Sequence, residues 1–487
     1  MCGIIGIIGA DSLSYKLFLG MQKLQDRGQD AAGMITYNGR NFHFHRGSVG
    51  EDESELLVKN SFTHRDLENL TGFMGIGHVR YPTVGAGRIA QPLYVDSPYG
   101  IAMGHNGNIV NYLQLRENIE TKLLHKCNTD CDIELILHLF AHSLDRRVRD
   151  GFTVEKVFQS VDDIMSQLIG SYSVVALIGD KGILAFRDPN GIKPLLMGEK
   201  RETRSRKSYA FASERSALYA LGYENIHWLK HGEAVFADTD GNVHSRIIRQ
   251  GEEALCEFEG TYFSRPESDF NGRPNILLRK ELARALAPQL RHLDLDYVFP
   301  VPDTSNIGAL ELARELGVPF EFGLIRDKYA TRTFIMPLQE YRELALELKL
   351  IPIREFIEGK KILLVEDSIV RGTTSSKVVS MIRAFNPKKV YMAVYSPPRR
   401  FPCFYGIDFP VEEELIARGD ISIDQIAERI GVDGLFFQKI EDHKRIYGVG
   451  VCMACLTGEY PTDVSAAREF VEQRMADRIT KARGHAI

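Results

Sequence analysis

The chain has 487 residues, enough for two to four domains at roughly 100–200 residues each. Hydrophobic residues make up 44% and charged residues 26%, and 60 Lys and Arg against 65 Asp and Glu leave a formal net charge of −5. That balance excludes a generally basic nucleic-acid binder, and no apolar run approaches the about 18–20 residues a membrane span requires. The apolar start, Met1-Cys2-Gly3-Ile4-Ile5-Gly6, carries no basic leader region, so it does not read as a signal peptide and a soluble cytoplasmic protein is expected. Seven cysteines are too few for a disulfide scaffold. Either they are ordinary buried thiols or some of them carry chemistry.

Along residues 1–250 the pattern predicts strands over Cys2–Ile8, Gly75–Val79, Ile101–Met103, Ser173–Ile178, Ile183–Phe186 and Ala210–Ala212. Helical spacing marks Tyr15–Gln25 and Asp132–Leu144. Many strands with few helices predict an α+β domain of stacked sheets covered by helices. The turn Asp238-Thr239-Asp240-Gly241-Asn242 precedes a change of rhythm. Beyond it, helices over Leu277–Leu290, Asn306–Leu316 and Ser375–Ala384 alternate with apolar strands over Tyr297–Pro300, Lys361–Val365 and Val390–Val394. Such alternation predicts an α/β domain with a parallel sheet over 251–465, followed by a charged helical tail over 466–487.

Cys2 follows the initiator Met, and small residues at positions 2 and 3 let an aminopeptidase expose it. A thiol and a free α-amine then share one residue, and an amine with a pKa of about 7.7–8.0 can serve as base for its own thiol. Gln25–Gly33 is a polar turn bracketed by glycines, and Gly77–Thr83 sets Arg80 at a strand end, suited to gripping a carboxylate. In Gly104-His105-Asn106-Gly107-Asn108, the Asn106 amide and the Gly107 N–H can form an oxyanion hole, and Asp132 at a helix start can bind an ammonium group. Together these groups suit hydrolysis of the side-chain amide of a free amino acid. The segments resemble the glutaminase domain of the N-terminal-nucleophile amidotransferases. The resemblance implies Cys2 as nucleophile, Asn106 and Gly107 as oxyanion hole, and Arg80 with Asp132 as the glutamine clamp. Asp26 departs from the family's His before Arg-Gly-Gln.

In Lys361–Ser375, an apolar strand delivers Glu366 and Asp367 to its end, and Arg371-Gly372-Thr373-Thr374-Ser375 leads into a helix. N–H groups and hydroxyls at a helix start hold phosphate, while the paired acids suit ribose hydroxyls or Mg²⁺. The segment resembles the phosphoribosyl pyrophosphate (PRPP) signature of type I phosphoribosyltransferases. Pro302–Asn306 resembles the pyrophosphate loop of that family, implying roles for Asp303 and Ser305 and Mg²⁺ binding at Thr304. Lys328–Pro337 resembles the closing loop, with Arg332 facing pyrophosphate. A glutaminase followed by this domain resembles the amidophosphoribosyltransferases, which release ammonia from glutamine, join it to C1 of PRPP and open purine synthesis. That resemblance implies purine nucleotides as feedback inhibitors and a homotetramer, with neither nucleic acid nor membrane as partner. Departures from the family pattern are Ala330-Thr331 in the closing loop, a less basic Leu344–Ile351, Ile351 for Asn, and Gly260 and Ile276 for aromatic residues. A paralogue acting as a nucleotide or PRPP sensor, or using another acceptor, is the alternative.

Cys452-Met453-Ala454-Cys455 has spacing that suits zinc, an iron–sulfur cluster or a redox pair. The surroundings of Cys256 and Cys403 resemble the iron–sulfur branch of the amidophosphoribosyltransferases, which implies a [4Fe–4S] cluster on Cys256, Cys403, Cys452 and Cys455. Cys127 and Cys131 are read as structural.

Overall fold

In strand β1 (Gly3–Ile8) successive side chains serve two different cores. Ile5 and Ile7 pack with Leu17 and Met21 of helix α1 (Leu13–Lys23), while Ile4 and Ile8 pack with Val175, Leu177 and Ile183. The computed structural model describes residues 1–48, 57–81, 89–326, 350–409 and 411–468. By their contacts they form two units, one of residues 1–255 with 404–409 and 460–468, the other of residues 256–403 and 411–459. The expected tail over 466–487 lies outside the described residues from 469 onward.

In the first unit β1 is followed by β2 (Ala31–Tyr37), β3 (Phe42–Ser48), β4 (Met74–Arg80), β5 (Leu93–Val95), β6 (Ile101–Ile109), β7 (Gly170–Ile178) and β8 (Gly182–Arg187). Then come β9 (Leu196–Arg201), β10 (Lys207–Ala212), β11 (Glu224–Trp228), β12 (Glu233–Asp238) and β13 (Val243–Ile247). Seven of them make one antiparallel sheet in the order β11-β9-β10-β1-β4-β2-β3, and six make a second, β13-β12-β8-β7-β6-β5. A shared apolar core joins the facing sheets. Helix α1 covers the outer face of the first, and α2 (Tyr112–Thr121), α3 (Asp132–Val148) and α4 (Val154–Met165) cover that of the second. Helix α4, capped by the Thr153 side chain on Lys156 N, was not among the expected elements. Segment 404–409 is tied in by hydrogen bonds from Asn108 Nδ2 to Phe404 O, 2.9 Å, and from Ser171 Oγ to Tyr405 O, 2.9 Å.

The second unit carries a parallel sheet of β14 (Tyr297–Pro300), β15 (Lys361–Glu366), β16 (Lys389–Val394) and β17 (Gly434–Phe437), in that order. Its helices are α5 (Asn275–Leu286), α6 (Asn306–Leu316), α7 (Thr373–Arg383), α8 (Ile423–Ile430) and α9 (Ile440–Tyr447). Both expected fold classes are therefore present. Helix α5 stops short of the expected Leu290: the chain tightens into a 3₁₀ turn over Ala287–Gln289, where Pro288 has no N–H to donate. Helix α7 starts at Thr373 rather than Ser375, because Gly372 adopts φ 78° and turns the chain directly into it. Gly260 stands where an aromatic residue was expected from the resemblance. A Cβ there would lie 2.9 Å from Tyr447 Oη and 2.6 Å from Leu278 Cδ2, so Tyr447 of α9 and Leu278 of α5 fill that space.

Candidate functional site

Cys2 is buried at the head of β1, its Sγ 3.6 Å from the Tyr81 carbonyl. Its backbone N–H donates to Asn106 Oδ1 at 3.2 Å. That bond fixes the Asn106 amide, whose Nδ2 is buried with no hydrogen-bond partner among the described residues. An unused donor of this kind costs about 1–3 kcal/mol to bury, so it is poised for an acceptor that arrives with substrate. Next to it, Gly107 lies inside β6 with φ 156°, where a Cβ would meet Ser171 O at 2.0 Å. The strand expected over Ile101–Met103 thus runs on through Asn106 and Gly107 to Ile109, held there by pairing with β7.

Arg80 ends β4, buried, and donates to the Ile89 carbonyl. Asp132 begins α3, also buried; Oδ2 accepts from Ile109 N at 3.1 Å and lies 3.2 Å from His105 Nε2. Burial opposes its charge, but His105, the Ile109 N–H and Arg80 together hold its carboxyl below the usual range. Two residues on, Glu134 accepts from Asn128 N, Thr129 N and Thr129 Oγ1 at 2.6–2.7 Å, fixing the loop that leads to Asp132. Burial opposes the Glu134 charge as well, yet His138 and these donors bring its carboxyl down to about 2.

Sequence reasoning missed three residues here. Arg27 is fully buried, donates from Nε to Cys2 O at 3.0 Å and pairs with Glu214 at 2.8 Å. Its neighbour Asp26 is exposed, so the departure at that position points away from the pocket. His105 holds Asp132, and Gln91 holds His105 by accepting from its N–H at 2.9 Å. Gln91 Nε2 also donates to Cys131 Sγ, 3.4 Å, and burial pushes that thiol up to about 12.

In the second unit Glu366 closes β15, and Asp367 follows, both buried. Ser375 Oγ donates to Glu366 Oε2 at 2.8 Å, and Ser368 Oγ to Asp367 Oδ1 at 2.7 Å. Burial, and for Glu366 the neighbouring Asp367 charge, push these carboxyls up to about 8 and about 6. The positive charges of Arg279 and Arg399 face Asp367 and oppose its rise. Thr373 and Thr374 are exposed on the first turn of α7, Ser375 is buried there, and Arg371 pairs with Glu414, Nε to Oε2 2.8 Å. Asp303 is exposed and pairs with Arg326 at 3.0 Å. Ser305 is buried with no partner for its Oγ among the described residues, and the Thr304 carbonyl accepts from Tyr395 Oη at 3.4 Å. Arg332, Ala330 and Thr331 lie outside the described residues; Ile351 is exposed on a short strand, Leu350–Pro352.

The four cysteines singled out by their surroundings all lie in the second unit. Cys256 and Cys452 end two short strands that pair with one another. Burial pushes the Cys455 thiol well up, opposed by Arg399, and Glu257, Cys403 and Cys256 press on it in the same direction as burial. Among the described residues no three His, Cys, Asp or Glu side chains converge tightly enough for a single metal ion. No helix among them is long and apolar enough to cross a membrane.

A family model, the glutamine amidotransferase domain, matches residues 78–220. An amidophosphoribosyltransferase of Pseudomonas aeruginosa is 39% identical over 502 residues, spanning 100% of this chain and 98% of that protein. The glutamine PRPP amidotransferase from B. subtilis, solved with ADP and GMP, has a TM-score of 0.83 at 34% identity, covering 95% of this chain and 98% of that one. A structure described as the allosteric regulatory enzyme of purine biosynthesis gives 0.84 at 34% identity, covering 95% and 97%.

Proposed function

The chain belongs to the amidophosphoribosyltransferases, glutamine-dependent glycosyltransferases, and we propose how its own residues perform that reaction. Cys2, freed of Met1, attacks the glutamine side-chain amide, with its α-amine taking the thiol proton. The negative oxygen of the tetrahedral intermediate is met by Asn106 Nδ2 and the Gly107 N–H. The unpartnered Nδ2, oriented by the bond between Oδ1 and Cys2, is the observation that carries this assignment. Arg80 holds the glutamine carboxylate and Asp132 its ammonium group, with His105 and Gln91 fixing Asp132. Arg27 fixes Cys2 through its carbonyl. Ammonia leaves, glutamate departs after hydrolysis of the thioester, and ammonia displaces pyrophosphate from C1 of PRPP to give 5-phosphoribosylamine.

At the second site the N–H groups and hydroxyls of Gly372–Ser375 take the 5-phosphate, assisted by Arg371. Glu366 and Asp367 take the ribose hydroxyls, Asp303 and Ser305 serve the pyrophosphate, and Arg332 supplies it a positive charge. The paired carboxyls suit Mg²⁺, held with Thr304, which supplies positive charge against the leaving pyrophosphate. Cys256, Cys403, Cys452 and Cys455 are four soft sulfur donors gathered in one unit, a set that suits a [4Fe–4S] cluster, which adds a covalent staple to the fold. Purine nucleotides act as feedback inhibitors, as the ADP and GMP of the B. subtilis structure suggest. A cytoplasmic homotetramer completes the reading.

The test is one preparation assayed for pyrophosphate release with glutamine and with ammonia, alongside iron and sulfide analysis. C2A abolishes the glutamine-dependent reaction and spares the ammonia-dependent one. Retained glutamine use in C2A removes the nucleophile assignment, and stoichiometric zinc without iron removes the cluster.

A further inference from the structure

Beside Cys455 runs a chain of fully buried charged groups to which the proposed chemistry assigns no step. Arg399 and Glu257, both without solvent exposure, pair at 2.6 Å. The other Glu257 oxygen faces His443 Nε2 at 3.2 Å, and His443 Nδ1 lies 2.5 Å from Gln438 Oε1. The Arg399 guanidinium stacks on Phe258, 3.7 Å from the ring centre. From the same Nη1 that meets Glu257, it also donates to Cys455 Sγ at 2.9 Å, while Glu257 Oε1 is 3.7 Å from that sulfur.

A buried ion pair is a poor source of stability, because the cost of removing two charges from water offsets most of their attraction. Apolar side chains of similar size would serve the core as well or better. What apolar side chains could not supply is the bond to sulfur. A thiolate at Cys455 would face the Glu257 carboxylate at close range, and Arg399 is the positive group that reaches both.

Resting on the cluster reading above, we infer that Arg399 is a positioning residue for the Cys455 sulfur, holding it as a cluster ligand and setting the cluster's charge environment, with Glu257 and His443 aiming the guanidinium. Partners of this kind orient the ligands of a metal centre, and their loss costs about 10–100-fold in metal affinity. Hydrogen bonds and positive charge at the sulfurs also raise a cluster's reduction potential. The planar fork matters: a lysine in the same place can bring charge but not two fixed donors.

The experiment uses full-length protein purified without oxygen, comparing the parent with E257Q/R399M and R399K. The double variant removes both buried charges together and leaves neither uncompensated. Readouts are iron and sulfide per chain, visible absorbance, bleaching rate with a ferrous chelator, midpoint potential, and near-UV circular dichroism for the fold. The expected result is bleaching on the order of tenfold faster in the double variant and a more negative potential, with R399K between it and the parent. A folded double variant that bleaches at the parent's rate and potential overturns the inference. If the double variant does not fold, R399K decides by the same criterion. A parent that binds no iron overturns the cluster reading, and this inference with it; a parent with iron and unchanged variants overturns this inference alone.

Discussion

Replacing Asn106 tests the glutaminase assignment most directly, because its two side-chain ends do different work. Oδ1 accepts from Cys2 N at 3.2 Å with Met1 in place, whereas Nδ2 is buried and unpaired among the described residues. N106A removes a donor whose bond forms only as the oxyanion develops, a loss of about 2.7–4 kcal/mol or 10²–10³ in kcat. It also removes the bond to Cys2, worth about 1 kcal/mol, which loosens the nucleophile. Glutamine KM changes little, since Arg80 and Asp132 are untouched. N106D keeps the acceptor for Cys2 but puts an anionic oxygen where the donor was, so its activity lies below that of N106A. The assay follows glutamate release and, separately, pyrophosphate release with ammonia; the ammonia-dependent rate stays at the parent's level. Less than a tenfold fall in glutamate release by N106A, or an N106D more active than N106A, would refute the oxyanion-hole reasoning.

R27M removes the positive half of the buried Arg27–Glu214 pair, costing about 3–5 kcal/mol in urea unfolding. The double variant R27M/E214Q recovers most of that stability yet not glutaminase activity, because Cys2 O has lost its anchor. Glu134, held down to about 2 when folded against about 4.3 when unfolded, contributes stability that is complete above about pH 5 and is lost as pH falls toward 2. Urea titrations at neutral pH and near pH 3 therefore show a smaller acid loss in E134Q than in the parent. G372A forces a Cβ to 2.3 Å from Ile416 Cδ1 at φ 78°, costing about 1–2 kcal/mol locally. The expected readout is a raised PRPP KM with ammonia as donor, and an unchanged KM counts against the phosphate loop.

What the sequence made legible follows from how local each signal is. The apolar run of β1 and the helical spacing of Asn306–Leu316 depend on neighbours in the chain, and both elements occur as expected. The strand through Asn106 and Gly107 was not legible, because its polar residues end the apolar run at Met103 and pairing with β7 imposes the conformation. The site divides in the same way. Cys2, Asn106, Asp132 and the Glu366-Asp367 pair announce themselves by residue type and context. The grip of Arg27 on Glu214, 187 positions away, and that of His105 on Asp132 across two elements have no pattern in the chain to reveal them. The Glu257–Arg399 pair, 142 positions apart, is equally silent.

The braces that segment 404–409 supplies to the first unit bear on how the chain can be cut and when it matures. Asn108, Ser171 and Tyr81 bond to Phe404, Tyr405 and Asp408 across 296, 234 and 327 positions. Tyr81 also presents the carbonyl beside the Cys2 thiol. A gene fragment ending near residue 255 therefore encodes all the strands of the two antiparallel sheets but not the supports under their reactive end. During synthesis the thiol emerges among the first residues, yet its surroundings are complete only after some four hundred more have been added. The amide-cleaving half is first to be made and among the last to be finished.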